Sequence, residues 1–164
     1  MTSVRKTERI IWSWSCLNGE GTPISLAMTQ AEEFPLGFSP DGRWMLYQSN
    51  APGRSELYAI SFPDLQRRQQ ISAGGSDAAL WKGQNEIWYQ RPGSTWVSVQ
   101  WKERSGTLEL SDPRPLFRDE RLTGLRAPAG SDRLLGMRLI GEVERPETVL
   151  VNHWKRLLDV RPSD

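Results

Sequence analysis

Two stretches of this chain line up at a fixed spacing, and that repeat limits the possible folds more than any other feature. Setting "FSPDGRWMLYQS", Phe38 to Ser49, against "LWKGQNEIWYQR", Leu80 to Arg91, places Phe38 opposite Leu80, Met45 opposite Ile87 and Tyr47 opposite Tyr89, an offset of 42 residues each time. The segments that follow agree in kind: "ELYAISFPD" answers "TWVSVQWKE", and "RQQIS" answers "RPLF". A weaker copy begins near Leu125, where "APAGSDRLLGMRL" replaces the corner and second strand and "TVLVNHW" supplies the next strand. Ahead of the first full copy, "RIIWSWSCLNGEGTPISLAM" reads as only the last two strands of a unit.

Within each unit the side chains alternate at the period of a β-strand. "RWMLYQS" (43–49), "SELYAISF" (55–62), "NEIWYQ" (85–90) and "TWVSVQW" (95–101) are each bounded by Gly, Pro, Asn or Asp. Most of the 8 Trp fall inside such runs, which assigns them to packing faces of half-buried strands and not to an exposed aromatic stripe. The closing "TVLVNHWKRLLDV" starts as a strand and then shifts to a spacing in which Trp154, Leu157 and Leu158 share one helical face, predicting one or two helical turns.

A period near 42 with about four short strands is the signature of a β-propeller blade. The sequence therefore predicts an all-β, single partial propeller domain over residues 1–164: a half-blade at 9–30, blades at 33–73 and 77–117, and a final blade at 122–158. Closed propellers hold roughly 4 to 8 blades. This chain supplies roughly three four-stranded antiparallel blades, too few to close a ring alone.

The same residues resemble the TolB-like, WD-repeat-like β-propeller family. "FSPDGRWMLYQSNAPGRSELYAISFP" is similar to its blade signature, with Ser39-Pro40-Asp41-Gly42 joining the inner strand to the second. "NEIWYQRPGSTWVSVQWKERSGTLELSDPRPLF" is similar to its next-to-last blade, and "TVLVNHWKRLL" to its C-terminal strand and short helix. The corners "WKGQN" and "APAGSD" depart from the Ser-Pro-Asp-Gly pattern. The resemblance covers about Ile10 to Leu158 and implies the C-terminal half of a six-bladed propeller, a form that often ends bacterial signalling and periplasmic proteins. Two expectations follow: a homodimer of half-propellers that completes six blades, or the C-terminal sensory portion of a larger bacterial signalling protein such as a serine/threonine kinase. No Gly-rich loop, His-Arg-Asp loop or Asp-Phe-Gly of a kinase occurs in the sequence itself.

Charge and rare residues narrow the chemistry further. Lys plus Arg number 21 against 20 Asp plus Glu, so no global field selects nucleic acid or anionic lipid. Arg67, Arg68, Lys102 and Arg104 fall at strand ends near acidic residues, where a solvated edge is the plain reading. With one Cys (Cys16) and one His (His153), neither a disulfide nor a Cys/His metal centre is expected. No stretch approaches the roughly 20 apolar residues that span a bilayer, and the short early apolar run, broken by Ser13 and Ser15, argues against a signal peptide, although a mature secreted form would look the same.

No site for catalysis emerges. His153 lacks a Gly-x-Ser-x-Gly nucleophile elbow, and Cys16 lacks a supporting His or Asn signature. Gly74-Gly75 and "LNGEGT" lack the Gly-Lys-Ser/Thr end of a phosphate loop. Asp41-Gly42 is a favoured turn pair before it is a carboxylate site. The expectation is a non-enzymatic module with no cofactor and no metal, recognising a protein or peptide. By analogy with propellers, binding belongs at the channel mouth, just before the inner strands, at Glu32, Glu33, Ser76, Asp77 and Arg121.

Overall fold

The computed structural model of the chain describes residues 15–17, 23–25, 31–128, 133–140 and 146–151. It is all-β, with fourteen strands and no helix among the described residues. The helical turns expected at Trp154, Leu157 and Leu158 lie outside them, as does His153.

Strands β1 (Ser15–Leu17) and β2 (Pro23–Ser25) pair with each other as a first sheet. The second sheet runs in chain order through β3 (Glu33–Phe38), β4 (Trp44–Ser49), β5 (Glu56–Ser61) and β6 (Arg68–Gln70). The third places β7 (Ala78–Lys82), β8 (Glu86–Arg91) and the ten-residue β9 (Thr95–Arg104) side by side. Outside β9, two strands share the edge: β11 (Arg114–Arg118) pairs with its first half and β10 (Thr107–Leu110) with its second. The fourth sheet is β12 (Leu122–Arg126), β13 (Leu134–Leu139) and β14 (Pro146–Val151). Every pairing is antiparallel, as short connections require.

Alternation along each strand feeds two different cores. Leu46, Leu57 and Ala59 of the second sheet pack with Ile87, Tyr89, Val97 and Val99 of the third. The opposite face of the third sheet, with Leu80, Trp88 and Trp96, packs with Leu122, Leu125 and Leu134 of the fourth. Met45, Tyr47 and Tyr58 form a separate cluster on the other face of the second sheet, where the guanidinium of Arg68 lies 4.1 Å from the Tyr58 ring centroid.

The 42-residue offset thus has a direct structural meaning. Met45 and Tyr47 lie in one cluster and their counterparts Ile87 and Tyr89 in the next; Leu46 lies in that second core and its counterpart Trp88 in the third. Equivalent positions occupy successive layers. The strands expected to be half-buried are instead buried on both faces: all six residues of β4 are buried, because a sheet covered on each side has no solvent face. Each large apolar side chain so enclosed contributes about 1.5–3 kcal/mol.

Within the fourth sheet, Gly136 of β13 leaves room for two leucines of β12 that pack in the core against the third sheet. A Cβ there would meet Leu122 Cδ1 at 2.8 Å and Leu125 Cδ2 at 3.3 Å. Gly136→Val is expected to lower stability by about 1–3 kcal/mol through overpacking. Urea unfolding measures this, and an unchanged midpoint would show that the two leucines yield freely.

Candidate functional site

The Asp-Gly corner resolves first. Between β3 and β4, Gly42 adopts φ +72°, a left-handed conformation that glycine accepts without penalty. Asp41 Oδ1 accepts hydrogen bonds from Ser39 Oγ at 2.5 Å and Arg43 N at 3.1 Å, and Oδ2 accepts from Arg43 Nε at 2.9 Å. Ser39 Oγ in turn accepts from Trp44 N at 3.0 Å. Burial acts to raise the Asp41 pKa, but the bonds from Ser39 and Arg43 outweigh it and hold the carboxyl below its ordinary value. An ionised carboxylate saturated by its own loop organises a turn and has no proton to exchange near neutral pH.

The same device recurs two corners later, between β5 and β6. Ser61 Oγ donates to Asp64 Oδ1, Arg67 Nη2 donates to Asp64 Oδ2 at 3.1 Å, and Arg67 N donates to Ser61 Oγ at 3.0 Å. Ser-Asp-Arg sets thus tie two successive corners on one side of the second sheet.

At the opposite ends of these strands, the starts of three strands come together. β7 lies against both β3 and β12, so these first strands of the second, third and fourth sheets are neighbours. Trp81 Nε1 of β7 donates to Gly37 O of β3 at 3.0 Å, near the far ends of both strands. Polar side chains hold the starts. Gln48 Nε2 of β4 donates to Ser76 O at 2.6 Å, and Gln90 Nε2 of β8 donates to Leu122 O at 3.4 Å. Gln48 and Gln90 stand at the repeat offset and tie one sheet to the first strand of the next. The repeated Tyr-Gln pair, Tyr47-Gln48 and Tyr89-Gln90, carries that signal in the sequence, although a glutamine in a strand reads there as ordinary polar surface.

The expected rim residues divide by environment. Glu32 is exposed and closed against Asn50: Glu32 N donates to Asn50 Oδ1 at 2.9 Å, and Asn50 Nδ2 donates to Glu32 Oε2 at 3.1 Å. Glu33 is half-buried, with Ser49 Oγ 3.5 Å from its Oε1. Asp77 is exposed while its amide donates to Gln90 O at 2.9 Å, and Arg121 is exposed with its amide bonded to Asp119 Oδ1 at 2.9 Å. Ser76 is fully buried, its carbonyl taken by Gln48, so it anchors the start of β7 and offers no surface. Asn50 and Glu120, the latter accepting from Arg118 Nη2 at 2.7 Å, belong to the same set of loops and carry no distinguishing motif. Among the described residues, no group of three or more His, Cys, Asp and Glu could hold a metal ion.

No protein-family model matches the chain, and no curated protein matches it. Acids stand at the starts of β3 and β7 and a cation at the start of β12, and β7 is in contact with both other strands. Such a surface suits ionic and hydrogen-bonded contact with a ligand carrying both signs of charge.

Proposed function

We propose that the second, third and fourth sheets are successive β-propeller blades of a TolB-like type, and that the chain is a non-catalytic module recognising a protein or peptide segment at the rim where β3, β7 and β12 begin. One observation carries this reading: β7 is in contact with both β3 and β12, which supports grouping Glu32, Glu33 and Asp77 with Arg121 at one rim. The blade interpretation is supported by equivalent residues filling successive layers at the repeat offset. An extended peptide crossing the three strand starts would place a cation against the acids and a carboxylate against Arg121.

Panning a displayed peptide library against the protein, followed by fluorescence anisotropy on the enriched peptides, tests this. The double variant Asp77→Lys with Arg121→Glu is expected to weaken binding at least about tenfold, equivalent to about 1.4 kcal/mol. Failure to enrich any peptide, or enriched peptides that bind the double variant equally well, would remove the rim as the site.

A further inference from the structure

We infer that Phe34 is a specificity-determining residue of the rim, its ring taking an arginine side chain of the bound segment while Asp77 accepts hydrogen bonds from the guanidinium. The inference rests on the recognition reading above and names the chemistry of the segment. Phe34, the second residue of β3, is 55% exposed, the highest value of any large hydrophobic residue among those described.

The framework itself does not call for an aromatic at this position. Phe34 stands opposite Gln48 in the pairing of β3 with β4, and the residue opposite Gln90 in the pairing of β7 with β8 is Ala78. Gln48 and Gln90 make equivalent ties to the next sheet, so one structural position holds a methyl group in the third sheet and a solvent-facing ring in the second. A single exposed ring is ordinary on a protein surface; what distinguishes this one is its neighbourhood.

Residues directly opposite in an antiparallel pair project to the same face, so Phe34 shares the face from which Gln48 reaches the third sheet. Gln48 Nε2 donates to Ser76 O, the carbonyl immediately before Asp77, and β3 is in contact with β7. The ring and Asp77 therefore belong to one neighbourhood at the boundary of these two strands. Asp77 is exposed, and its carboxylate has no hydrogen bond or ion pair among the described residues, whereas the Glu32 carboxylate is held by Asn50.

That pairing of groups selects among side chains. An apolar side chain would cover the ring but strip water from Asp77 with no compensating bond. An ammonium is a compact, strongly hydrated point charge. A guanidinium is flat and weakly hydrated, stacks on an aromatic face and offers N–H groups in its own plane to a carboxylate. Arg121, at the start of β12, disfavours a second guanidinium beside it and leaves the boundary of β3 and β7 as the seat.

Nuclear magnetic resonance titration with acetyl-Gly-Arg-Gly-amide and, separately, acetyl-Gly-Lys-Gly-amide at millimolar concentration tests this. The arginine tripeptide is expected to give saturable shifts at the Phe34 ring and the Asp77 amide, and to bind the wild type at least about twofold more tightly than the lysine tripeptide. Phe34→Ala, which mimics the Ala78 position, is expected to weaken the arginine tripeptide about two- to fivefold with unchanged far-ultraviolet circular dichroism, while Phe34→Trp keeps or raises its affinity. Asp77→Asn is expected to weaken it to a similar extent. A wild type without saturable shifts, equal affinities for the two tripeptides, or a Phe34→Ala variant that binds like the wild type overturns the inference. In each of those cases, panned peptides that still lose affinity for the Asp77 and Arg121 double variant leave the rim reading standing, so the two failures are separable.

Discussion

Trp96→Ala is expected to cost about 3–5 kcal/mol of folding stability. Trp96 is fully buried in the core between the third and fourth sheets, its ring stacked on Phe117 with centroids 6.3 Å apart and 24° between planes. Trp88 meets the same Phe117 ring edge-on at 6.5 Å, so removing the indole opens a cavity under two aromatic neighbours. Domains of this size are stable by roughly 5–15 kcal/mol, and the variant therefore sits near the edge of unfolding. The Trp96 Nε1 has no acceptor among the described residues. Trp96→Phe accordingly gives up no hydrogen bond there and is expected to cost only about 1–2 kcal/mol. Urea unfolding of the two variants measures the contrast. Equal losses would mean that Nε1, and not ring volume, is what the site requires.

The second large effect belongs to Glu56, whose carboxylate is enclosed at the start of β5 with 1% exposure. It accepts hydrogen bonds from Ser72 Oγ at 2.5 Å, Arg54 Nε at 2.6 Å, Gly75 N at 3.0 Å and Gly74 N at 3.1 Å. Gly74 and Gly75 adopt φ +103° and +105°, a left-handed region that favours glycine. Glu56→Ala leaves buried donors without an acceptor and is expected to cost about 3 kcal/mol.

The ionisation of Glu56 gives this a pH signature. Burial acts to raise its pKa, but the bonds from Ser72, Arg54, Gly75 and Gly74 outweigh that and place it below the ordinary 4.5. A depressed folded-state value means that the stabilisation is complete above the unfolded value and is lost as the pH falls below 4.5 through the folded one. Asp41 and Asp64 are lowered in the same direction and add to the same loss. Glu56→Gln is expected to flatten the acid limb of the stability profile without abolishing it. An unchanged profile would show that Glu56 does not stabilise the fold through its charge.

Much of the architecture is legible in the sequence because alternation and turn residues are local signals. The runs at 43–49 and 55–62 read directly as strands, and Asp41-Gly42 reads as a corner. Burial on both faces was not legible, because Trp88 and Tyr89 are adjacent in sequence yet belong to different cores, and only stacking of whole sheets assigns them. The continuation of β9 to Arg104 and its return as β10 were also missed. Ser105 and Gly106, at φ +52° and +77°, make the two-residue turn between them, and the Ser-Gly pair between alternating runs was the available signal.

For the site, the strand starts were legible as positions, while their environments were not. Ser76 and Asp77 are neighbours, yet one is sealed under Gln48 and the other faces solvent. The buried role of Glu56 depends on donors at 72–75, a distance over which a lone glutamate gives no pattern.

The most direct test of rim recognition is amide hydrogen exchange with and without a peptide enriched by panning. Added protection is expected at the starts of β3, β7 and β12, spanning Glu32–Glu33, Asp77 and Arg121, with little change along β6 and β10. Protection confined to β6, β10 or β13, with those three strand starts unaffected, would contradict the account.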